Sequence, residues 1–231
     1  MFTKVTNDLL RGVVSILQTP VVVVLLILIV VTVAMAGSFT MEYFTEHKKL
    51  KEKIPDLLNK LTEADLSDIA DIVMDSEILR RQKAAVIRIL EAEDMDPDSR
   101  DAFASQLLYD EGVHYRKNLR VPELVLRLGP MFGLLGTLIP LGPGLIALGQ
   151  GNTEVLSQSL LIAFDTTAAG VIVSAFAFVV QYFRKSWYQT YAKDLESITD
   201  VVLDKMDERA EMMDEDAGRI EEKAGRTEEV E

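Results

Sequence analysis

The chain has 231 residues, a formal net charge of −13 and no cysteine. Disulfides, zinc–thiolate centres and thiol catalysis are therefore excluded, and so acidic a surface does not suit nucleic acid as a partner. Hydrophobic residues make up 48% of the chain, but they are gathered in long uncharged runs separated by charged stretches, which predicts membrane spans joined to soluble parts.

No G-x-S-x-G, Walker, H-E-x-x-H or G-x-G-x-x-G pattern occurs. The two histidines, His47 and His114, stand alone among charged neighbours, as solvated side chains do. No metal, no cofactor and no covalent enzyme chemistry are expected.

In chain order, residues 1–17 place Phe2, Val5, Leu9, Val13 and Leu17 on one helical face, with Lys4, Asp8 and Arg11 elsewhere. This predicts a short helix lying in the membrane interface. Residues 20–39 then carry no charge, and about 20 apolar residues cross ~30 Å of hydrocarbon. The first transmembrane helix is predicted at 18–41, with Thr19 as cap and Pro20 at the first helical position. Ala34-Met35-Ala36 also resembles a leader-cleavage site. Against that, Lys48, Lys49, Lys51 and Lys53 follow at once, and such a cluster tends to stay cytoplasmic.

Residues 42–123 read as a small cytoplasmic helical domain. Leu66, Ile69, Ala70 and Val73 form one apolar stripe; Leu79, Val86, Ile89 and Leu90 form another; Phe103, Leu107 and Leu108 begin a third. Asp96-Pro97-Asp98 marks a turn and a helix start. No period-two alternation suggests a strand.

The second span, 124–148, is organised around residues 129–144, GPMFGLLGTLIPLGPG, which hold five of the 13 glycines and three of the seven prolines. A soluble helix would not accept so many breakers. A membrane helix does, because neighbouring helices satisfy the freed backbone groups and small residues let a second backbone come close. Pro130, Gly133, Thr137, Pro140, Gly144 and Ala147 recur at three- and four-residue spacing and share a face, with Gly136 in the same run. The face reads either as a tight helix contact or as a pore-facing stripe.

A short outer connection, 149–159, leads to the third span, 160–183, LLIAFDTTAAGVIVSAFAFVVQYF. Its small face is read as Ala163, Thr167, Gly170, Ser174, Ala177 and Gln181. Thr137 and Thr167 come at similar depth. Hydroxyls at one depth can bond water or a passing ion without trapping it by charge; a threonine can equally bond its own helix carbonyl. Candidate ion-path residues are Thr137, Thr167, Asp165, Thr166 and Ser174. Gly133, Gly136, Pro140, Gly144 and Gly170 are the candidate packing or pore face. Asp165 is the one ionisable residue deep in a span, where charge costs roughly 2.5–3.5 kcal/mol near the centre. It lies about 200° round the helix from Thr167, so ion-path lining, hydrogen bonding between subunits and an interfacial acid all stand as readings.

Basic residues follow span one, precede span two (Arg116, Lys117, Arg120, Arg127) and follow span three, while the 149–159 connection has none. That puts the N-terminus outside and the C-terminus inside. Beyond the third span, 184–213 continues as a helix. Tyr188, Tyr191, Leu195, Ile198, Val202 and Met206 approach heptad spacing, which predicts bundling with copies of itself. Residues 214–231 read as a disordered acidic tail.

GLLGT at 133–137 with its Gly/Pro-rich continuation, and AFDTTAAG at 163–170, resemble the MotA/TolQ/ExbB family of proton-channel subunits, the ExbB/TolQ side most. The layout of one span, a large helical region, two close spans and a tail is similar too. The resemblance implies an all-α integral membrane protein with three transmembrane helices, a cytoplasmic helical domain and a long third helix extending into the cytoplasm. It implies a ring of five copies in the inner (plasma) membrane, around single spans of an ExbD/TolR/MotB-like subunit that brings the titrating aspartate. Thr137 and Thr167 map onto the threonines that line the path for proton or sodium. Each charge crossing 100 mV releases about 2.3 kcal/mol, which the partner turns into work beyond the membrane, such as protein transport. Asp165 and Pro140 depart from the family, where an apolar residue and glycine are common. The rival reading is a membrane scaffold whose acidic helices recruit other proteins without conducting ions.

Overall fold

The computed structural model describes residues 2–44 and 54–228; the lysine cluster after the first span and His47 lie outside the described residues. Six helices make up the architecture, with no strand among the described residues: α1 (Phe2–Glu42), α2 (Ile54–Glu63), α3 (Leu66–Asp75), α4 (Arg80–Leu90), α5 (Pro97–Gly149) and α6 (Thr153–Glu228). The protein is all-α, as its periodicity predicts. Three stretches are long and apolar enough to cross a membrane: Ile16–Glu42 in α1, Pro97–Gly149 in α5 and Thr153–Ile220 in α6. The chain divides into two compact units, Met1–Glu42 with Arg116–Ser186, and Tyr43–Tyr115 with Trp187–Glu231.

In the first unit, Leu28 and Met35 of α1 are buried with Val125 of α5 and with Val173 and Ala177 of α6. Val21 and Leu25 of α1 meet Ile139 of α5. The opposite faces are equally apolar: Val30 and Val33 on α1, Met131 and Leu138 on α5, Phe164 and Ile172 on α6 are all exposed. Helices apolar both inside and outside are made for lipid, where packing rather than water exclusion holds them together. One boundary differs from expectation. Pro20 lies inside α1, not at its start, so the 1–17 helix and the span are one continuous helix. A proline there leaves the carbonyl of Ile16 without its usual donor, a vacancy a membrane helix tolerates where another group reaches the oxygen. Pro122, Pro130, Pro140 and Pro143 likewise sit within α5 without ending it.

The second unit has a conventional core. Leu57 and Leu61 of α2, Ile69 and Val73 of α3, Val86 and Ile89 of α4, and Ala104 and Leu107 of α5 surround Leu195, Ile198, Val202 and Met206 of α6. This corrects the expected partner of the α6 stripe. The heptad-like residues are buried, but against the chain's own helices instead of against copies. An apolar stripe specifies only that something apolar must cover it, and α2–α4 are short amphipathic helices that need the same service.

Polar groups pin this core. Gln82, 1% exposed, accepts the Leu79 N–H at 3.0 Å through Oε1 and donates through Nε2 to the Tyr191 carbonyl at 2.9 Å. It thus caps α4 and ties it to α6. Arg81 of α4 grips both carboxylate oxygens of Glu111, at 3.0 and 2.8 Å, and this hydrogen bonding raises the Arg81 pKa. Buried Arg100 pairs with Asp207. Tyr115 stacks on Tyr188 with centroids 5.0 Å apart. Residues 214–228, expected as part of a disordered acidic tail, are instead the helical end of α6, and 229–231 lie outside the described residues.

Candidate functional site: the α5–α6 seam and its rims

Within the first unit α5 and α6 touch backbone to backbone. A Cβ on Gly170 would stand 2.5 Å from the Gly129 carbonyl oxygen and 2.9 Å from the Gly133 Cα. One on Gly136 would stand 2.5 Å from Thr166 Cβ, and one on Gly144 3.0 Å from Ser159 Cβ. Gly129, Gly133, Gly136 and Gly144 of α5 are therefore there for closeness, whereas a Cβ on Gly142 or Gly149 would have nothing within 4 Å. Gly133, Gly136, Gly144 and Gly170 all lie in this packed seam, and Pro140 is buried on the same side of α5.

The buried stripe of α6 runs through Ala163, Thr166, Gly170, Val173, Ser174, Ala177 and Val180. Sequence periodicity traced it through Thr167; it passes one residue earlier. Thr166 is 7% exposed and donates to the carbonyls of Ile162 and Ala163 at 2.9 and 3.0 Å. Ser174 donates to the Gly170 carbonyl at 2.7 Å. Both hydroxyls are satisfied within α6 and face α5, so within one chain they serve the joint.

Thr167 is exposed beside that joint and donates to the Ala163 carbonyl at 3.0 Å. Thr137, half exposed, donates to the Leu134 carbonyl at 2.7 Å. A hydroxyl that has given its proton to its own helix still offers lone pairs outward, which can take a hydrogen bond from water or hydronium, or hold a bare cation. The two threonines share a rim. A Cβ on Gly133 would lie 3.6 Å from the Thr167 Cα, and Thr137 is one turn further along the same side of α5. Asp165 is exposed as well, but 200° from Thr167 by helical rotation of about 100° per residue it belongs to the opposite rim. The structure thus places Thr137 and Thr167 along one edge of the seam, sets Thr166 and Ser174 between the helices, and keeps Asp165 to the other edge.

Sequence reading missed Arg184, treating it only as the charge that ends the third span. It is buried, and bonds to Glu42 and Ser38 of α1. A pairing 142 positions apart leaves no trace in local periodicity. Among the described residues no group of three or more His, Asp or Glu could hold a metal ion.

A three-span helical membrane protein with a glycine seam and a hydroxyl-bearing rim is the class these features define. The model of the MotA/TolQ/ExbB proton channel family matches residues 70–197, more than half of the chain and all of the seam's α5 and α6 residues. The chain belongs to that family. No individual curated protein matches it.

Proposed function

We propose that this chain is the ring-forming subunit of an ion-motive-force-driven channel, on the ExbB/TolQ side of the family, which energises a single-span partner. The observation that carries the reading is the exposure of Thr167 and Asp165 on a membrane-spanning helix. A carboxylate left against acyl chains costs several kcal/mol, so both rims of α6 need polar company. In a homopentamer one rim of each α6 lines the axis and the other meets the adjoining copy. Thr137 and Thr167 then line the path of proton or sodium beside the aspartate of an ExbD/TolR/MotB-like span, and Asp165 bonds across to the neighbouring subunit. The N-terminus is outside and the helical domain is in the cytoplasm, below the inner membrane. The chain performs no covalent catalysis.

The deciding experiment uses vesicles holding the full chain with a single-span, aspartate-bearing partner. An imposed proton or sodium gradient should drive uptake only when both proteins are present, and uptake should disappear when Thr137 and Thr167 are both changed to valine. Undiminished uptake by the double valine variant, or none by the unaltered pair, would return the chain to the scaffold reading.

A further inference from the structure

Arg184 and Lys185 close the uncharged run of α6 side by side, yet they lie differently. Lys185 is exposed, whereas Arg184 keeps 9% of its surface. A basic residue at the end of a span ordinarily extends its head into water, and Lys185 does so. Arg184 instead turns back onto α1. Its Nε donates to Glu42 Oε2 at 2.7 Å, and its terminal nitrogen donates to Ser38 Oγ at 3.2 Å. Ser38 in turn donates to the Met35 carbonyl at 3.0 Å. The Phe39 and Phe183 rings, 6.2 Å apart, lie alongside.

Arg184 follows Thr166 by 18 residues (184 − 166), five full turns at 3.6 residues each, so the two positions share one face of α6, and from it the guanidinium reaches α1. The seam gives little directional grip: it is glycine backbone against hydroxyls that bond within their own helix. A charge-assisted arginine–carboxylate bond is directional. We propose that Arg184 is a positioning residue: its bonds to Glu42 and Ser38 set the rotation and depth of α6, and so decide whether the Thr167 rim faces the ion route. The consequence for flux rests on the ion-conduction reading; the clamp on α6 does not.

The chain has no cysteine, so single substitutions report one position each. In vesicles of the full chain with its partner, Thr166→Cys and Thr167→Cys are labelled by a water-soluble and by a bilayer-soluble maleimide, with Arg184 intact and with Arg184→Gln. Arg184→Gln should shift the labelling ratio of the two positions and lower ion uptake. Exchanging the charges, Arg184→Glu with Glu42→Arg, should recover both readouts, and Arg184→Lys should recover part. An unchanged labelling ratio in Arg184→Gln, or a charge exchange that recovers nothing, overturns the proposal. Should Arg184→Gln fail to accumulate, Glu42→Ala and Ser38→Ala each remove one bond, and unaltered labelling in both overturns it equally. A shifted ratio, when the chain with Arg184 and both threonines intact takes up no ion, upholds the clamp and sinks the conduction reading alone.

Discussion

Gly170 of α6 and Gly133 of α5 meet so closely that a methyl on Gly170 would stand 2.9 Å from the Gly133 Cα. Neither partner can rotate out of the way, because the obstacle is backbone. Gly170→Ala should therefore destabilise the helix pair by about 1–3 kcal/mol, the usual cost of overpacking. Gly142 sits in the same apolar span with nothing within 4 Å of its would-be Cβ. Gly142→Ala should be neutral or stabilise by up to ~1 kcal/mol through helix propensity. Unfolding titrations of both variants in detergent micelles make the comparison; equal effects would mean that the seam is looser than its geometry.

Thr166 and Thr167 are neighbours with opposite duties. Thr166→Val keeps the branched shape in the seam and removes a hydroxyl bonded only within its own helix, so stability should change by about 0.5–1.5 kcal/mol, the net worth of one hydrogen bond, and ion uptake should persist. Thr167→Val should leave stability alone and stop uptake, while Thr167→Ser should retain it. Uptake measurements on the three variants, alongside thermal denaturation, separate the roles. Loss of uptake in Thr166→Val with none in Thr167→Val would mean that Thr166, not Thr167, lines the path.

That one-residue difference illustrates what was legible in the sequence. The three spans, the family and the glycine helix follow from composition and motif, because lipid imposes length and neutrality on any span. The α6 residues Tyr188, Tyr191, Leu195, Ile198, Val202 and Met206 were all correctly read as buried, yet their cover was not, since periodicity names a face and never what lies against it. The run AFDTTAAG is small or polar at six adjacent positions, 165–170, so no apolar contrast fixes which threonine points inward; the Gly136 contact with Thr166 does. Arg184 and Gln82 were missed for a related reason. Their partners, Glu42 and the Tyr191 carbonyl, are distant in sequence, and a carbonyl has no sequence signature.

Gln82 makes a strong test of the second unit. Gln82→Ala leaves the Leu79 N–H and the Tyr191 carbonyl without that side chain in a buried place, a loss of about 1–3 kcal/mol. Gln82→Glu should be worse, because a carboxylate can still accept from Leu79 but repels the Tyr191 carbonyl oxygen and is charged where burial is nearly complete. Hydrogen exchange should quicken first at the start of α4 in both variants. Protection unchanged in Gln82→Glu would show that the side chain is not held between the two backbones.

Asp194 gives a prediction with a definite sign. It is half buried on α6, and desolvation raises its pKa from 3.8, opposed by the charge of Lys193. An acid whose folded pKa is raised keeps its proton in the native state over a range where the unfolded chain has already lost it. Native protein then binds more protons than unfolded protein, and stability falls as pH rises through that range. The penalty is absent well below 3.8 and complete once pH exceeds the folded value, so it is in force at neutrality. Asp194→Asn removes it. Melting temperatures of the two proteins should coincide at strongly acid pH, separate in favour of the variant as pH rises, and stay a constant distance apart beyond the folded pKa. Asp96 runs the other way, since hydrogen bonds from Ser99 lower its pKa, but it is present in both proteins and cancels in the difference. A variant that melts lower than the parent at neutral pH would mean that Asp194 has a partner worth more than the cost of its burial.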